Sequence, residues 1–254
     1  MGKLIELMLG ALLAISASPA LADTNSTPPG APCAKNNGNP CNGNNGNLGK
    51  QGNVDHGTVI SHDPPPIVLS MPPVEGRGVY ISQIGDSNVA DVLQTAPNAY
   101  AKVVQDGDDN DADVGQGGSG TAYVDAAQTG TANFARIQQS GDGQNVAYVS
   151  QEGNGNWLWS KQIALGAVYN GAKLTQIGNN NDMALYQEGS DNLAVLTQDG
   201  NSNGMTATQL GDGSRLAWTQ DGNNLSDLQI TQSGGAAYGG QLLVTQSNGG
   251  GSGH

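Results

Sequence analysis

The sequence predicts an all-β protein: a β-solenoid of about seven strand-turn-strand rungs with inward Gln and Asn ladders, preceded by a disordered N-terminal arm. Three observations predict it. Glutamine recurs every eleven or twelve residues over most of the span from Gln83 to Gln246, apolar residues stand two and four places before most of these glutamines, and Gly stands two places after nearly all of them. Such a fixed period is an internal repeat, and it has to be read before any local propensity.

The glutamines of the period are Gln83, Gln94, Gln105, Gln116, Gln128, Gln139, Gln151, Gln162, Gln176, Gln187, Gln198, Gln209, Gln220, Gln232 and Gln246. Residues such as Ile81, Val103, Leu174 and Val244 stand two places before a glutamine, and Val79, Ala101, Leu158 and Met205 four before. Six places before, the residue is usually Asn: Asn88, Asn110, Asn133, Asn145, Asn156, Asn170, Asn181, Asn192 and Asn203. The positions between are mostly polar or mixed. A period of two over about seven residues predicts a strand with one face turned inward and excludes a helix.

The connections are tight turns. Gly85, Gly107, Gly130, Gly153, Gly178, Gly189, Gly200, Gly211 and Gly222 follow their glutamines by two, usually before Asp, Asn, Ser or Gly. Gly tolerates positive φ, and Asx side chains hydrogen-bond their own turn.

One rung alone cannot hold together, because two small aliphatic side chains do not offset the entropy of ordering eleven residues. Parallel stacking at roughly 4.8 Å pairs every strand above and below and superimposes like residues. Gln83, Gln105, Gln128, Gln151, Gln176, Gln198, Gln220 and Gln246 then form one column, and the alternate glutamines a second. A primary amide carries two donors and an acceptor, so stacked carboxamides satisfy one another along the column.

The flanks follow different rules. Residues 1–22 read as a signal peptide: Lys3, an apolar run over 7–15, then Ala20-Leu21-Ala22 before Asp23. Residues 23–76 are rich in Asn, Gly and Pro and are expected to form a disordered arm and probable secretion-targeting segment. Its apolar patch at 67–69 is read mainly as linker, with docking as an edge strand the alternative. The solenoid is expected over 77–246 and a flexible Gly-rich tail over 247–254. Cys33 and Cys41 suggest a small intrachain disulfide, with an interchain link or free thiols as alternatives.

Composition narrows the function classes. A net charge of −13 disfavours nucleic acid and anionic lipid. The histidines, His56, His62 and His254, accompany no nucleophile motif, so no enzyme, metal site or cofactor is expected. Asp106, Asp108, Asp109, Asp111 and Asp113 concentrate charge on one rung, as gatekeepers against premature pairing or as a solvated turn. Calcium binding is a third reading, although the nine-residue spacing of calcium β-rolls is absent.

Four segments carry a recognisable motif, Gln-x-Gly-x-x-Asn-x-Ala-x-x-x-Gln: QIGDSNVADVLQ at 83–94, QDGDDNDADVGQ at 105–116, QTGTANFARIQQ at 128–139 and QEGSDNLAVLTQ at 187–198. This resembles the curlin repeat, and the resemblance covers about two-thirds of the chain. It implies an exported subunit of extracellular amyloid fibres in biofilm-forming Gram-negative bacteria. It also implies secretion through an outer-membrane channel with accessory factors, and a partner curlin, nucleator or major subunit. Residues 36–53 resemble the segment that addresses the channel. The chain departs from the familiar pattern in using Asn at the start of both strands until Ser214 and Ser226, in its number of rungs, in its Pro-containing arm and in its cysteine pair.

With no capping helix in the sequence, both ends of the array are expected to be open, which predicts head-to-tail polymerisation. The competing expectation is a monomeric extracellular binding solenoid. Outward Thr175, Thr197, Thr208, Thr219, Thr231 and Thr245 would suit ice binding. Trp157, Trp159, Tyr148 and Tyr186 would suit an adhesin.

Overall fold

The computed structural model describes residues 56–61, 69–70, 72–73, 76–234 and 240–248. The span read as a signal peptide, Cys33 and Cys41, the segment 36–53, His62 and His254 lie outside the described residues. Sixteen strands follow one another: β1 (His56–Ser61), β2 (Arg77–Ile84), β3 (Val89–Gln94), β4 (Asn98–Asp106), β5 (Asp111–Gln116), β6 (Thr121–Thr131), β7 (Phe134–Gly141) and β8 (Gln144–Asn154). Then come β9 (Trp157–Ala164), β10 (Asn170–Ile177), β11 (Asp182–Gly189), β12 (Leu193–Asp199), β13 (Gly204–Leu210), β14 (Arg215–Asp221), β15 (Ile230–Ser233) and β16 (Gln241–Asn248).

From β2 onward the strands alternate between two sheets. The nine-stranded sheet runs β1-β16-β14-β12-β10-β8-β6-β4-β2, and the seven-stranded sheet β15-β13-β11-β9-β7-β5-β3. Every pairing except β1 with β16 is parallel, and like residues superimpose: Gln128 faces Gln151, and Leu174 faces Leu196. The molecule is thus a β-solenoid of seven strand-turn-strand rungs followed by one further strand.

The two inward faces meet in one continuous core. Ala101, Val124, Ile137, Leu158, Met183, Leu196 and Leu216 are fully buried within it. The core grows coarser along the chain, from Ala and Val in the first rungs to Met205, Leu216 and Trp218 near the end. The buried Trp218 indole donates to Gln246 Oε1 at 2.9 Å, so a large residue is accommodated with its polar edge satisfied. Ser160 departs from the pattern. It sits in register between Ile137 and Leu185, fully buried, and its hydroxyl has no partner.

Three sequence expectations need correction. Residues 56–61, placed in the disordered arm, form β1 and lie antiparallel along β16, with Thr58 opposite Gln246 and Ile60 opposite Val244. The β-branched run Thr58-Val59-Ile60 suits a strand, and the unpaired backbone groups of β16 supply its partners. The C-terminal edge of the larger sheet is therefore covered. Of the patch at 67–69, read mainly as linker, Leu69 is described: it is not in a strand, and its carbonyl accepts a bond from the Tyr169 hydroxyl. Finally, the last Asn-type place belongs to Leu225 rather than Ser226, because the Leu225 N–H donates to Asn203 Oδ1 at 2.9 Å. Gln229 takes φ 49°, shifting the register by one residue before β15 and leaving Leu228 exposed. β16 also runs two residues past the predicted boundary at 246.

Candidate functional site

The functional elements of a solenoid are its columns and its ends. In the nine-stranded sheet the glutamines are linked Nε2 to Oε1 from each rung to the next: Gln83 to Gln105 at 2.7 Å, Gln105 to Gln128, Gln128 to Gln151 and Gln151 to Gln176 at 2.8 Å, and Gln176 to Gln198, Gln198 to Gln220 and Gln220 to Gln246 at 2.9 Å. The second column joins Gln94, Gln116, Gln139, Gln162, Gln187, Gln209 and Gln232 at 2.7 to 3.0 Å. All are buried from Gln105 to Gln220.

These columns have a fixed sense. From Gln94 onward the second N–H of each carboxamide reaches a backbone carbonyl across the rung: Gln105 to Val89, Gln139 to Tyr123, Gln198 to Asp182, all at 2.8 to 3.0 Å. A carbonyl only accepts, so the nitrogen must sit there and the oxygen must face the preceding rung. Both columns therefore donate toward the C-terminus.

Asparagine performs a different task from glutamine. In the column Asn88, Asn110, Asn133, Asn156, Asn181, Asn203, each Oδ1 accepts the backbone N–H of the next member at 3.0 to 3.1 Å. Each Nδ2 donates to a Gly carbonyl of the next rung's turn: Asn88 to Gly107, Asn110 to Gly130, Asn133 to Gly153, Asn156 to Gly178, Asn181 to Gly200 and Asn203 to Gly222, at 2.6 to 2.8 Å. The residue thus clips one rung to the turn above it.

The matching column at the opposite corner is shorter: Asn170 links to Asn192 and Asn192 to Ser214. Asn145 Oδ1 is buried without a partner, at the step where Gln151 and Gln176 lie 25 residues apart instead of the 22 of the next step. Below it Ala99 and Ala122 take the corresponding places in register, where the sequence reading expected Asn at both corners. Arg77, in that position on the first rung, donates to the Ala96 and Thr95 carbonyls.

The turn glycines stack as well. Gly85, Gly107, Gly130, Gly153, Gly178, Gly200 and Gly222 have φ between 103° and 134°, and Gly189 and Gly211 have φ of 121° and 81°. A Cβ on Gly153 would lie 2.0 Å from the Gly178 carbonyl oxygen, so glycine is required both by backbone conformation and by the rung above. Outside these turns runs an exposed amide column that the repeat count did not single out. Asn154, Asn179 and Asn201 each donate through Nδ2 to the next member's Oδ1, ending at Asn223, at 2.8 to 2.9 Å. Its signal in the sequence was Asn three places after Gln.

The acidic cluster is spread over two surfaces. Asp106 and Asp109 are exposed at the turn, Asp109 with φ 56°, and Asp108 accepts the Asp86 N–H at 2.8 Å. Asp111 and Asp113 stand in β5, where Asp113 pairs with Arg136 at 2.7 Å and faces Asp91 in register. Burial, then the Asp113 charge, raises the Asp111 pKa above the ordinary carboxylate value; Arg136 lowers it and Asp91 raises it further. Among the described residues no group of three or more His, Cys, Asp or Glu side chains is placed to hold a metal ion, and no helix is long and apolar enough to cross a membrane.

The two ends differ. On the first rung Val79 and Ile81 occupy core columns yet are 49% and 43% exposed, because among the described residues no rung lies beneath them. Among the described residues neither Gln83 Oε1 nor Gln94 Oε1 accepts a hydrogen bond, so this end presents two vacant amide acceptors. At the other end Gln232 Nε2 donates to the Arg215 and Gly240 carbonyls, and Gln246 Nε2 to the Ser226 carbonyl. The outward threonines form single files: Thr175, Thr197, Thr219 and Thr245 on one sheet, Thr208 and Thr231 on the other. Trp157 stacks on Phe134, whereas Tyr148 and Tyr186 are engaged with Ser70 and Glu188.

This geometry defines a parallel β-solenoid organised by buried carboxamide columns. Residues 178–211, which span β11, β12 and β13, match the family model of the curlin-associated repeat. The chain therefore carries a curlin repeat, set within a run of structurally equivalent rungs. No curated protein matched the chain. No solved structure matched it either.

Proposed function

We propose that this chain is an exported structural subunit that self-assembles head-to-tail into extracellular curli-like amyloid fibres serving biofilm matrix and adhesion. The role is structural rather than catalytic. The observation that carries it is the polarity of the amide columns: vacant acceptors and uncovered core positions at the first rung, and at the other end the Gln246 amide of a column that donates in that direction. Identical chains stacked end to end in parallel, β2 on β16, would continue the column from Gln83 to Gln246 and bury Val79 and Ile81. The repeat match at 178–211 supports the same reading. The partners are further copies of this chain, a related curlin acting as nucleator or major subunit, and an outer-membrane secretion channel with its accessory factors.

The test is assembly of the purified mature chain. Soluble protein should convert to thioflavin-binding aggregates after a lag that seeds abolish, and Gln83→Ala with Gln105→Ala should slow seeded growth. A chain that stays monomeric at high concentration would instead support the second reading, a monomeric extracellular binding solenoid acting as adhesin or ice-binding surface. The threonine files and the covered edge of β16 favour that reading.

A further inference from the structure

We propose that β1 is a displaceable cover that brakes head-to-tail assembly, and that each junction between subunits forms only when an incoming β2 takes its place on β16. This rests on the assembly reading above and adds a control step to it.

β1 occupies the outer edge of β16 from Leu243 to Asn248, pairing residue for residue from His56–Asn248 to Ser61–Leu243. It runs antiparallel, whereas every other pairing is parallel. Antiparallel and parallel ladders space their hydrogen bonds differently, so a strand in this sense ends the lattice instead of extending it. The residue opposite Gln246 is Thr58, which has no carboxamide to continue the column. Ile60, opposite the fully buried Val244, remains 55% exposed. The cover therefore satisfies backbone groups while leaving Ile60 largely outside the core.

An incoming β2 would fit better. Continuing the parallel register of β14 on β16 places Gln83 of the next copy over Gln246, Ile81 over Val244 and Val79 over Leu242. That exchange would extend the amide column and bury two core side chains now half exposed, which β1 cannot do. The cover is also tethered. Tyr148 donates to the Ser70 carbonyl at 3.0 Å, and Tyr169 donates to the Leu69 carbonyl, which holds the arm on the outer face of the same sheet. A tethered strand returns quickly to its site, so it competes with a free subunit at high effective concentration. Every junction joins one C-terminal end to one N-terminal end, so one β1 must leave at each step regardless of which fibre tip grows.

The experiment compares the full mature chain with its Val59→Pro, Ile60→Pro double variant. Adjacent N–H groups of a strand point to opposite sides, so one of the two prolines removes a bond to β16 whichever way β1 is phased. Two readouts are taken: backbone hydrogen exchange over Leu242 to Ser247 in the monomer, and the lag and elongation rate of assembly. The expected result is lost protection in β16 together with a shorter lag and elongation faster by about tenfold, as for a competent form populated at roughly one part in ten. Unchanged exchange, or lost protection with unchanged kinetics, overturns the proposal while wild-type assembly still stands. If neither protein assembles even with seeds, the assembly reading fails and the brake falls with it; the exchange data then show whether β1 covers the edge at all.

Discussion

Gln151 donates from Nε2 to Oε1 of Gln176 at 2.8 Å and accepts at its own Oε1 from Nε2 of Gln128 at the same distance. The Gln151 amide also reaches the carbonyls of Phe134 and Asn156 at 3.0 and 3.2 Å. One buried carboxamide thus ties three rungs and both sheets. Gln151→Ala would leave Gln176 Oε1 and two carbonyls without this donor in a site closed to water, for an expected loss of about 2 to 4 kcal/mol. Urea unfolding of the monomer measures it. Gln151→Glu should cost more at neutral pH, since the carboxylate oxygen that replaces Nε2 would face acceptors only, and its deficit should shrink on acidification as protonation restores a donor.

Two glycine-to-alanine changes separate the turn from the strand. At Gly153, φ is 116° and the Cβ would meet the Gly178 carbonyl oxygen at 2.0 Å. Gly153→Ala should force two rungs apart and cost more than about 3 kcal/mol. At Gly115, in the outward position of β5, a Cβ would meet nothing within 4 Å. Gly115→Ala should be neutral or stabilise by about 0.5 to 1 kcal/mol, through the entropy of the unfolded chain. Equal effects at the two positions in thermal melts would contradict this account of the turns.

The repeating part of the fold was legible because its stabilising interactions repeat: each buried column needs the same residue at the same height, so Gln128, Gln151 and Gln176 appear in the sequence as a period. What escaped reading is what does not repeat. β1 contains no glutamine and is stabilised by the edge it covers, a long-range partner that no local pattern encodes. Arg77 takes a place held by Asn farther up the array because the first rung has turn carbonyls to satisfy and no rung below. Counting back from Gln232 chose Ser226 over Leu225, since the count assumes unbroken strands and Gln229 is left-handed. The outer column from Asn154 to Asn223 was read only as turn chemistry, although its amides bond between rungs as the inner ones do.

Ser160 supplies a prediction of opposite sign. Its hydroxyl is fully buried, has no hydrogen-bond partner and interrupts an otherwise aliphatic column between Ile137 and Leu185. Ser160→Ala removes that polar atom without adding volume, and should raise the stability of the monomer by about 1 kcal/mol. A destabilised Ser160→Ala protein in denaturant titrations would show that the hydroxyl has a partner.

The acidic rung should make stability depend on pH in a direction set by Asp111. Its carboxyl titrates above the ordinary value because of burial first and the neighbouring Asp113 next, with Arg136 opposing and Asp91 adding to the rise. A carboxyl with a raised pKa in the folded state takes up its proton there before it does in the unfolded chain, so the folded form is favoured as pH falls through that raised pKa. At neutral pH the ionised Asp111 therefore works against folding, and acidification relieves the cost. Asp111→Asn should be more stable than the parent at pH 7, and the difference should narrow as pH falls through the carboxylate range. Asp113→Asn would also lower the Asp111 pKa, but it breaks the partly exposed 2.7 Å pair with Arg136, worth about 0 to 1 kcal/mol, so its net effect at pH 7 should be small. Denaturant midpoints for the three proteins at several pH values measure this. A gap between parent and Asp111→Asn that widened toward acid would reverse the sign and rule out this source of pH dependence.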